Sequence, residues 1–235
     1  MLGNLLQQVA ADWPYMLLIA AVAYLLGSLN FAILVTRAFS KRDIRDVGSG
    51  NAGMTNVLRS QGKWPAVLTT LGDIGKSVIA VLFGGWLIRR AGGADAASAV
   101  QVATVGRYIA GLFCELGHMF PLYFGFRGGK GVLVTFGMLL VMDWRVALLG
   151  LAVFLIVVAC SRMVSLGSLC AAASIVVLTG LFDRFVYAWD GGITLFCTGI
   201  VAVMAALVFA RHAGNIKRIC NHTERKLSFG KNKEE

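Results

Sequence analysis

The sequence predicts an all-α integral membrane protein with seven transmembrane helices, its N-terminus outside and its C-terminus in the cytoplasm. Three observations support this: an excess of apolar residues, a scarcity of charge and an uneven placement of the basic residues. Of the 235 residues, 57% are hydrophobic and 14% are charged, whereas a soluble domain carries about 25% charged residues. This excludes a soluble enzyme, a disordered chain and a disulfide-rich secreted module. The net charge of +10 could indicate either nucleic acid or a membrane as the partner. Because the chain is so apolar, it favours the lipid bilayer, and we expect no nucleic acid to bind.

Seven apolar stretches, separated by charges and turn residues, are the candidate membrane-spanning helices of one domain over 1–235. A crossing helix needs about 20 mostly apolar residues. The stretches are 14–36, 65–88, 98–117, 130–142, 145–160, 164–182 and 192–210. Pro14 and Pro65 stand where helices begin, a position at which the missing N–H costs nothing. The stretch 130–142 is short for a crossing, and its separation from the next depends on polar residues at 143–145.

The basic residues set the orientation, because cytoplasmic segments carry an excess of Lys and Arg. No basic residue precedes the first span. Six follow it: Arg37, Lys41, Arg42, Arg45, Arg59 and Lys63. Seven lie in the tail: Arg211, Lys217, Arg218, Arg225, Lys226, Lys231 and Lys233. Both segments are therefore predicted to be cytoplasmic, which requires an odd number of crossings and favours seven over six. Arg89 and Arg90 fall on the outer side, against the rule.

The first cytoplasmic segment carries a glycine-rich motif suited to an anion. Gly48 and Gly50 free the backbone to aim several N–H groups into one concavity, a geometry that binds phosphate. Short polar side chains and one guanidinium accompany them: Ser49, Asn51, Thr55, Asn56 and Arg59. The alternative is a flexible connector rich in turn residues.

The second cytoplasmic segment resembles a nucleotide-binding P-loop only superficially. Phe124 stands where the first glycine should be, and Gly131 replaces the hydroxyl residue that would hold Mg²⁺. What remains is a basic glycine-rich turn suited to phosphate, made of Arg127, Gly128, Gly129, Lys130 and Gly131. The alternative for its basic residues is topological anchoring. For the nearby His118 it is a helix-end histidine bonded to a carbonyl.

Two further polar sets complete the candidates. If the last helix continues into the tail, His212 and Asn215 share a helix face, although a basic amphipathic extension lying on anionic lipid is an alternative. Asp73 and Lys76 lie one helical turn apart within a span, where charges usually pair or serve a function. We interpret them as an internal structural pair.

Three stretches, in order, are similar to a known family. They are G-S-G-N-A-G-M-T-N-V-L-R at 48–59, G-H-M-F-P-L-Y-F-G-F-R-G-G-K-G-V at 117–132, and R-H-A-G-N-I-K-R at 211–218 with Glu224. Together with the D-x-x-K at 73–76, they resemble the bacterial acyl-phosphate:glycerol-3-phosphate acyltransferases. The similarity spans essentially the whole chain.

The resemblance implies transfer of a fatty acyl group from acyl phosphate to the sn-1 hydroxyl of glycerol 3-phosphate, the first committed step of bacterial phospholipid synthesis. The products are 1-acylglycerol 3-phosphate (lysophosphatidate) and inorganic phosphate. It further implies seven helices in the bacterial inner membrane, an active site on the cytoplasmic side, and neither cofactor nor metal. Functional coupling to an enzyme that makes acyl phosphate also follows.

We hypothesise that the first motif binds one phosphate and the second motif the other, with Ser49 and Lys130 in the catalytic set. His212 and Asn215 would orient the glycerol moiety, and the acyl chain would run between helices into the bilayer. His212 is the candidate general base, with a substrate phosphate oxygen as the alternative. A covalent role for Ser49 lacks an adjacent base in the sequence. Glu224 is expected to hold the tail in place.

The sequence departs from the family pattern at four positions. Ala52 and Met54 replace the usual proline and alanine of the first motif, Val134 stands where a threonine is usual, with Thr135 one place later, and His222 replaces a glycine.

The competing function is a membrane transporter of a phosphorylated or anionic solute, which seven spans and intramembrane charges would also suit. Against it, polar residues crowd the cytoplasmic ends and no repeated halves occur. A membrane scaffold would not need three phosphate-suited motifs.

Overall fold

The computed structural model describes residues 12–91 and 96–227, with the side chains of 96–99 left out. Lys231 and Lys233 of the predicted basic tail lie outside these ranges. Within them the chain forms ten α-helices. These are α1 Trp13–Ser28, α2 Phe31–Ser40, α3 Met54–Gln61, α4 Lys63–Ala91, α5 Ala96–Met119, α6 Val132–Met142, α7 Trp144–Ser161, α8 Val164–Leu181, α9 Gly191–Arg211 and α10 Ala213–Cys220. A π-helical turn, Phe182–Val186, extends α8.

Five helical runs in the described residues are long and apolar enough to cross a membrane, which agrees with an integral membrane protein. They are Trp13–Ser40, Lys63–Ala91, Trp144–Ser161, Val164–Val186 and Gly191–Arg211. The other two predicted spans do form helices. Helix α5 has 24 residues but carries Arg107 and Glu115. Helix α6 has 11 residues, about half the length that a 30 Å hydrocarbon core requires at about 1.5 Å per residue.

The first predicted span, 14–36, is not one continuous helix. It ends at Ser28 and restarts at Phe31, because Asn30 caps the second helix: its Oδ1 accepts from the Ile33 N–H at 3.1 Å, and its Nδ2 donates to the Ala52 carbonyl at 3.3 Å. The continuous apolar sequence concealed this break. It frees backbone carbonyls inside the bundle, where Lys76 uses them.

Two other boundaries decide the position of the site. Asp143 separates α6 from α7 as predicted, since its Oδ1 accepts the N–H groups of Arg145 and Val146 at 2.9 and 3.5 Å. The last helix does not continue unbroken into the tail, which was the condition under which His212 and Asn215 would share a helix face. Helix α9 ends at Arg211 and α10 begins at Ala213, so that His212 lies at a corner between them.

The core is built around α5, which packs against α1 and α4. Gly84 of α4 and Gly106 of α5 meet so closely that a Cβ on Gly84 would lie 2.6 Å from the Gly106 carbonyl oxygen. Small residues allow such approach between membrane helices, where packing replaces the hydrophobic effect as the driving force. This packing brings the N-terminus of α6 beside the C-termini of α5 and α9, where the three motifs lie.

Candidate active site

The first motif folds into a tight loop organised by Asn56. The Asn56 Oδ1 accepts the Ser49 N–H at 3.0 Å, and its Nδ2 lies 2.9 to 3.1 Å from the carbonyl oxygens of Ile44, Val47 and Asn51. Asn56 is 4% exposed, so its amide is committed to the loop backbone. Ser49 and Arg59 are exposed, and Thr55 is half-buried. The hydrogen bonds of Asn56 therefore differ from the predicted contact with phosphate.

Replacing Asn56 with alanine is expected to destabilise the protein. The change removes the acceptor of the Ser49 N–H and the donor to three loop carbonyls, which should cost about 2 kcal/mol. We expect the thermal unfolding midpoint in detergent to fall by about 5 °C. Asn51→Ala is the matched control, since Asn51 contributes its backbone carbonyl to this network. An unchanged midpoint in Asn56→Ala would contradict the role given to this amide.

The second motif turns back on the end of α5. The N–H groups of Gly128 and Gly129 donate to the carbonyls of Met119 and His118, at 3.2 and 3.1 Å. These two amides thus bond to the end of α5, so their N–H groups are not free for the phosphate that the sequence predicts at this turn. Gly131 has φ +86° and caps α6. The first N–H groups of a helix have no partner within it, and they favour anions, so the start of α6 is suited to an anion.

The third motif is held by Glu224, whose carboxylate gathers three donors. Its Oε1 accepts from Ser165 Oγ at 2.6 Å and from Asn215 Nδ2 at 2.7 Å, and its Oε2 accepts from Arg218 Nε at 2.8 Å. Burial raises the pKa of Glu224, but these hydrogen bonds outweigh it and keep the pKa below its usual range. The carboxylate therefore stays ionised at neutral pH and ties the tail to the start of α8.

Side chains from the first and third segments bind the second one from both sides. Arg45 Nη1 donates to the Phe124 carbonyl at 2.6 Å, while Asp43 holds the same guanidinium at 2.9 Å. Arg211 donates to the Gly128 and Gly129 carbonyls at 3.0 and 3.1 Å. The three motifs thus form one connected assembly.

Lys130 joins the second motif to the third, because its Nζ donates to Asn215 Oδ1. Lys130 lies in the loop before α6 and is partly buried. This burial, with the nearby guanidinium groups of Arg218 and Arg211, lowers its pKa to about 8 although Glu224 opposes the shift. The side chain carries its charge at pH 7 and loses it as the pH rises through about 8.

His212 is 2% exposed, and burial together with the charge of Lys130 lowers its pKa to about 4. Its imidazole is therefore neutral at pH 7. Its Nδ1 lies 2.8 Å from the Val208 carbonyl oxygen, which accepts only, so Nδ1 carries the proton and Nε2 is left with a lone pair. This tautomer gives His212 an acceptor nitrogen for a substrate hydroxyl.

The predicted pair of Asp73 and Lys76 forms, at 2.8 Å, and recruits His118. Lys76 Nζ also donates to the carbonyls of Gly27 and Leu29 freed by the break after α1, at 3.0 and 2.8 Å, and lies 3.0 Å from His118 Nδ1. His118 lies 3.5 Å from the Asp73 carboxylate. The His118 ring is therefore not bonded to a carbonyl as the alternative had it, and it lies in close contact with Gly129 of the second motif.

A cavity of about 870 Å³ lies where the three motifs meet. Of the predicted residues, it is lined by Gly48, Ser49, Gly50, Asn51, Thr55, Asn56, Arg59, Asp73, Arg127, Gly128, Lys130, Gly131, His212, Asn215 and Glu224. Gly129 and Lys76 are not part of this wall. The cavity continues from its cationic mouth between α6, α7, α8 and α9. There its walls are apolar, with Phe136, Leu139, Ala147, Leu151, Phe154, Ala172, Ile175 and Val208.

Several lining residues were absent from the predicted site, among them the polar side chains of Arg45, His118 and Arg211. Arg45 was interpreted only as an indicator of topology, and Arg211 as such an indicator and as the first residue of the third motif. For Arg211, the sequence signal was its place directly before His212 within the third motif. For Arg45, the sequence signal was Asp43, two positions earlier, which can pair with the guanidinium.

Comparisons with known proteins place these features in a family. A glycerol-3-phosphate acyltransferase family model matches residues 17–222. Glycerol-3-phosphate acyltransferases from Jannaschia sp. (strain CCS1) and Clostridioides difficile (strain 630) are 42% and 40% identical, over 89% and 90% of this chain and 92% and 95% of theirs. Crystal structures of PlsY (YgiH), an integral membrane glycerol 3-phosphate acyltransferase, are similar in both the glycerol 3-phosphate and lysophosphatidic acid forms. Their TM-scores are 0.73 and 0.71 at 33% and 32% identity, covering 91% of this chain and 96% and 95% of theirs.

Proposed function

The chain belongs to the glycerol-3-phosphate acyltransferase family, and from that premise we propose that it transfers a fatty acyl group from acyl phosphate to the sn-1 hydroxyl of glycerol 3-phosphate. The products are 1-acylglycerol 3-phosphate and inorganic phosphate. The observation that supports this most directly is the cavity, whose cationic mouth leads into an apolar space between α6, α7, α8 and α9. A phosphorylated headgroup and an acyl chain need these two environments side by side.

Both phosphates are proposed to bind at the mouth. Arg59, Thr55 and Ser49 present a guanidinium and hydroxyls from the first motif, all lining the cavity. Lys130 and the start of α6 present a cation and helix N–H groups from the second. Asn56 and Gly129 would act by shaping these loops, and Asp73 and Lys76 by supporting them.

Direct transfer is the simplest chemistry for such a site. The sn-1 hydroxyl oxygen attacks the acyl carbonyl carbon, the bond from that carbon to the phosphate oxygen breaks, and phosphate leaves with the electron pair. The hydroxyl proton passes to His212 Nε2 or to a phosphate oxygen of the substrate. Because acyl phosphate is already an activated anhydride, positioning and electrostatic stabilisation can supply most of the rate.

Variants of His212 distinguish the two proton acceptors. His212→Gln and His212→Asn keep a polar group but cannot accept a proton at neutral pH. If His212 is the base, kcat should fall by about 10²-fold or more in both. If a substrate phosphate oxygen is the base, kcat should remain within about threefold of wild type, and His212 keeps only an orienting role. Steady-state kinetics with both substrates saturating give the answer.

The pKa of Lys130 predicts an alkaline limb in the pH profile. The protonated lysine attracts phosphate, so kcat/KM should be constant below about pH 8 and should fall up to tenfold per pH unit above it. Lys130→Arg should remove this limb, because guanidinium stays charged throughout the range. An unchanged limb in Lys130→Arg would assign it to another group.

We propose that the chain crosses the bacterial inner membrane seven times, with α5 and the short α6 added to the five helical runs that are long and apolar enough to cross. The motifs and the basic tail would then face the cytoplasm, where an enzyme that makes acyl phosphate could deliver its product. No cofactor or metal is required by this chemistry. A reporter that is active only in the cytoplasm should be active when it is fused to the C-terminus. Activity of a reporter that works only in the periplasm would overturn the orientation.

A further inference from the structure

Glu115 is a fully buried carboxyl group that the chemistry above does not use. It lies near the end of α5 with no exposed surface, and it is not part of the cavity wall. Its Oε1 accepts a hydrogen bond from Thr135 Oγ1 at 3.2 Å. Thr135 Oγ1 also lies 3.3 Å from the Gly131 carbonyl oxygen, and Thr135 does line the cavity.

Glu115 also contacts the turn that carries Lys130. Gly131 adopts φ +86° and lies so close to the carboxyl that a Cβ at this position would be 2.5 Å from Glu115 Oε1. Lys130, the preceding residue, donates to Asn215 across the cavity. The contacts therefore run from Glu115 through Gly131 and Thr135 to the lysine at the mouth.

Fold stability does not account for a carboxyl group at this position. Among the described residues, Glu115 Oε2 is buried without a hydrogen-bond partner, and no basic side chain of those residues lies within 4.0 Å of the carboxyl group. Burying an unpaired polar group is costly, and an apolar residue of similar volume is often at least as stable. A buried polar group kept at such a cost calls for another explanation.

We propose that Glu115 and Thr135 are positioning residues that fix the Lys130–Gly131 turn, and with it the cation at the cavity mouth. Glu115 Oε1 accepts the hydrogen bond from the Thr135 hydroxyl and contacts Gly131. The oxygen of that hydroxyl also lies 3.3 Å from the Gly131 carbonyl oxygen. The proposal rests on the proposed function only in that it takes Lys130 as a phosphate-binding group. Thr135 is also the threonine that stands one place later than the family pattern, which gives this displaced hydroxyl a defined partner.

Two matched pairs of variants test the proposal in the full-length protein in detergent. Glu115→Gln and Thr135→Ser keep the acceptor and the hydroxyl, whereas Glu115→Ala and Thr135→Val remove them. We expect KM for glycerol 3-phosphate or acyl phosphate to rise about tenfold in the second pair and to stay within about threefold in the first. The alkaline limb near pH 8 should move upward in Glu115→Ala and Thr135→Val, because a displaced Lys130 becomes better hydrated.

A purely structural pair would give a different result. Lower thermal midpoints with unchanged KM and an unchanged alkaline limb in Glu115→Ala and Thr135→Val would overturn the proposal. It would also be overturned if Glu115→Gln were as damaging as Glu115→Ala, since the charge would then matter rather than the hydrogen bond. If Glu115→Ala does not fold, Thr135→Val, which is nearly isosteric, decides alone.

A binding measurement separates this proposal from the proposed function. The midpoint shift that glycerol 3-phosphate or inorganic phosphate produces in the wild-type protein reports binding without turnover. If the wild type binds but makes no lysophosphatidate, the proposed function fails while the pair is still tested. Thr135→Val should then lose most of the shift and Thr135→Ser should keep it. Equal shifts in both would overturn the positioning role.

Discussion

Lys130→Met should lower kcat/KM for glycerol 3-phosphate acylation by about 10²- to 10³-fold. The side chain is a partly buried cation in the cavity wall, and it bonds to Asn215 of the third motif. Loss of one group that stabilises charge in an active site typically costs about 3–4 kcal/mol in the transition state. Lys130→Arg should be intermediate, since it keeps the charge but changes its geometry.

Lys217→Met is the matched control, because Lys217 is an exposed lysine on α10. It should leave kcat/KM within about twofold of wild type. If Lys130→Met retained activity within about threefold, Lys130 would be no more than a topological anchor. The thermal midpoint of each variant, measured in the same detergent, shows whether a lost rate reflects lost folding.

Glu224→Ala should lower kcat/KM by about 10²-fold although its role is to hold other groups. The carboxylate holds Asn215, Ser165 and Arg218 together, and the nearby tail is also tied by the Leu227 N–H to the Arg162 carbonyl at 2.7 Å. Without it, Asn215 loses its orientation, and so does the lysine that bonds to it. Misplacement of about 1 Å at a reacting centre can cost about 10²-fold in rate.

Arg218→Ala separates the partners of Glu224. The Arg218 side chain is 47% exposed, and exposed ion pairs contribute at most about 1 kcal/mol, so this variant should lose no more than about threefold. The kcat/KM of Glu224→Gln should lie between the values for Glu224→Ala and Arg218→Ala, since an amide oxygen can still accept a hydrogen bond from Asn215. A severe effect of Arg218→Ala with a mild effect of Glu224→Ala would contradict the assignment of Glu224 as the centre of the network.

Local patterns in the sequence were sufficient for most helix positions. Apolar runs bounded by charge place α4, α7, α8 and α9 within a few residues of their structural bounds, and Asp143 separates α6 from α7 as its capping preference predicts. The break after α1 was missed because the apolar run continues through it. The capping side chain of Asn30 was a visible signal, but its amide partner is the carbonyl of Ala52, far along the chain.

The three motifs were predicted to form one site, but the contacts that join them were not predicted. Short-range chemistry marked the glycine turns and the polar residues that now line the cavity. What joins them are contacts between residues distant in sequence, such as Arg45 with Phe124, Lys130 with Asn215 and Lys76 with the Gly27 carbonyl. Composition and spacing carry no information on such pairings, which depend on how helices pack. The commitment of the Asn56 amide to its own loop also emerged only from the structure, because residue types alone do not show how a loop folds on itself.

Acyl transfer by the purified protein tests the account most directly. The full chain in lipid or detergent is given acyl phosphate and radiolabelled glycerol 3-phosphate, with no metal or cofactor added. We predict radiolabelled lysophosphatidate and an equal amount of inorganic phosphate, with neither formed when acyl phosphate is replaced by acyl-CoA. Absence of lysophosphatidate, together with solute uptake by vesicles containing the protein, would contradict the proposed acyltransferase and favour a transporter.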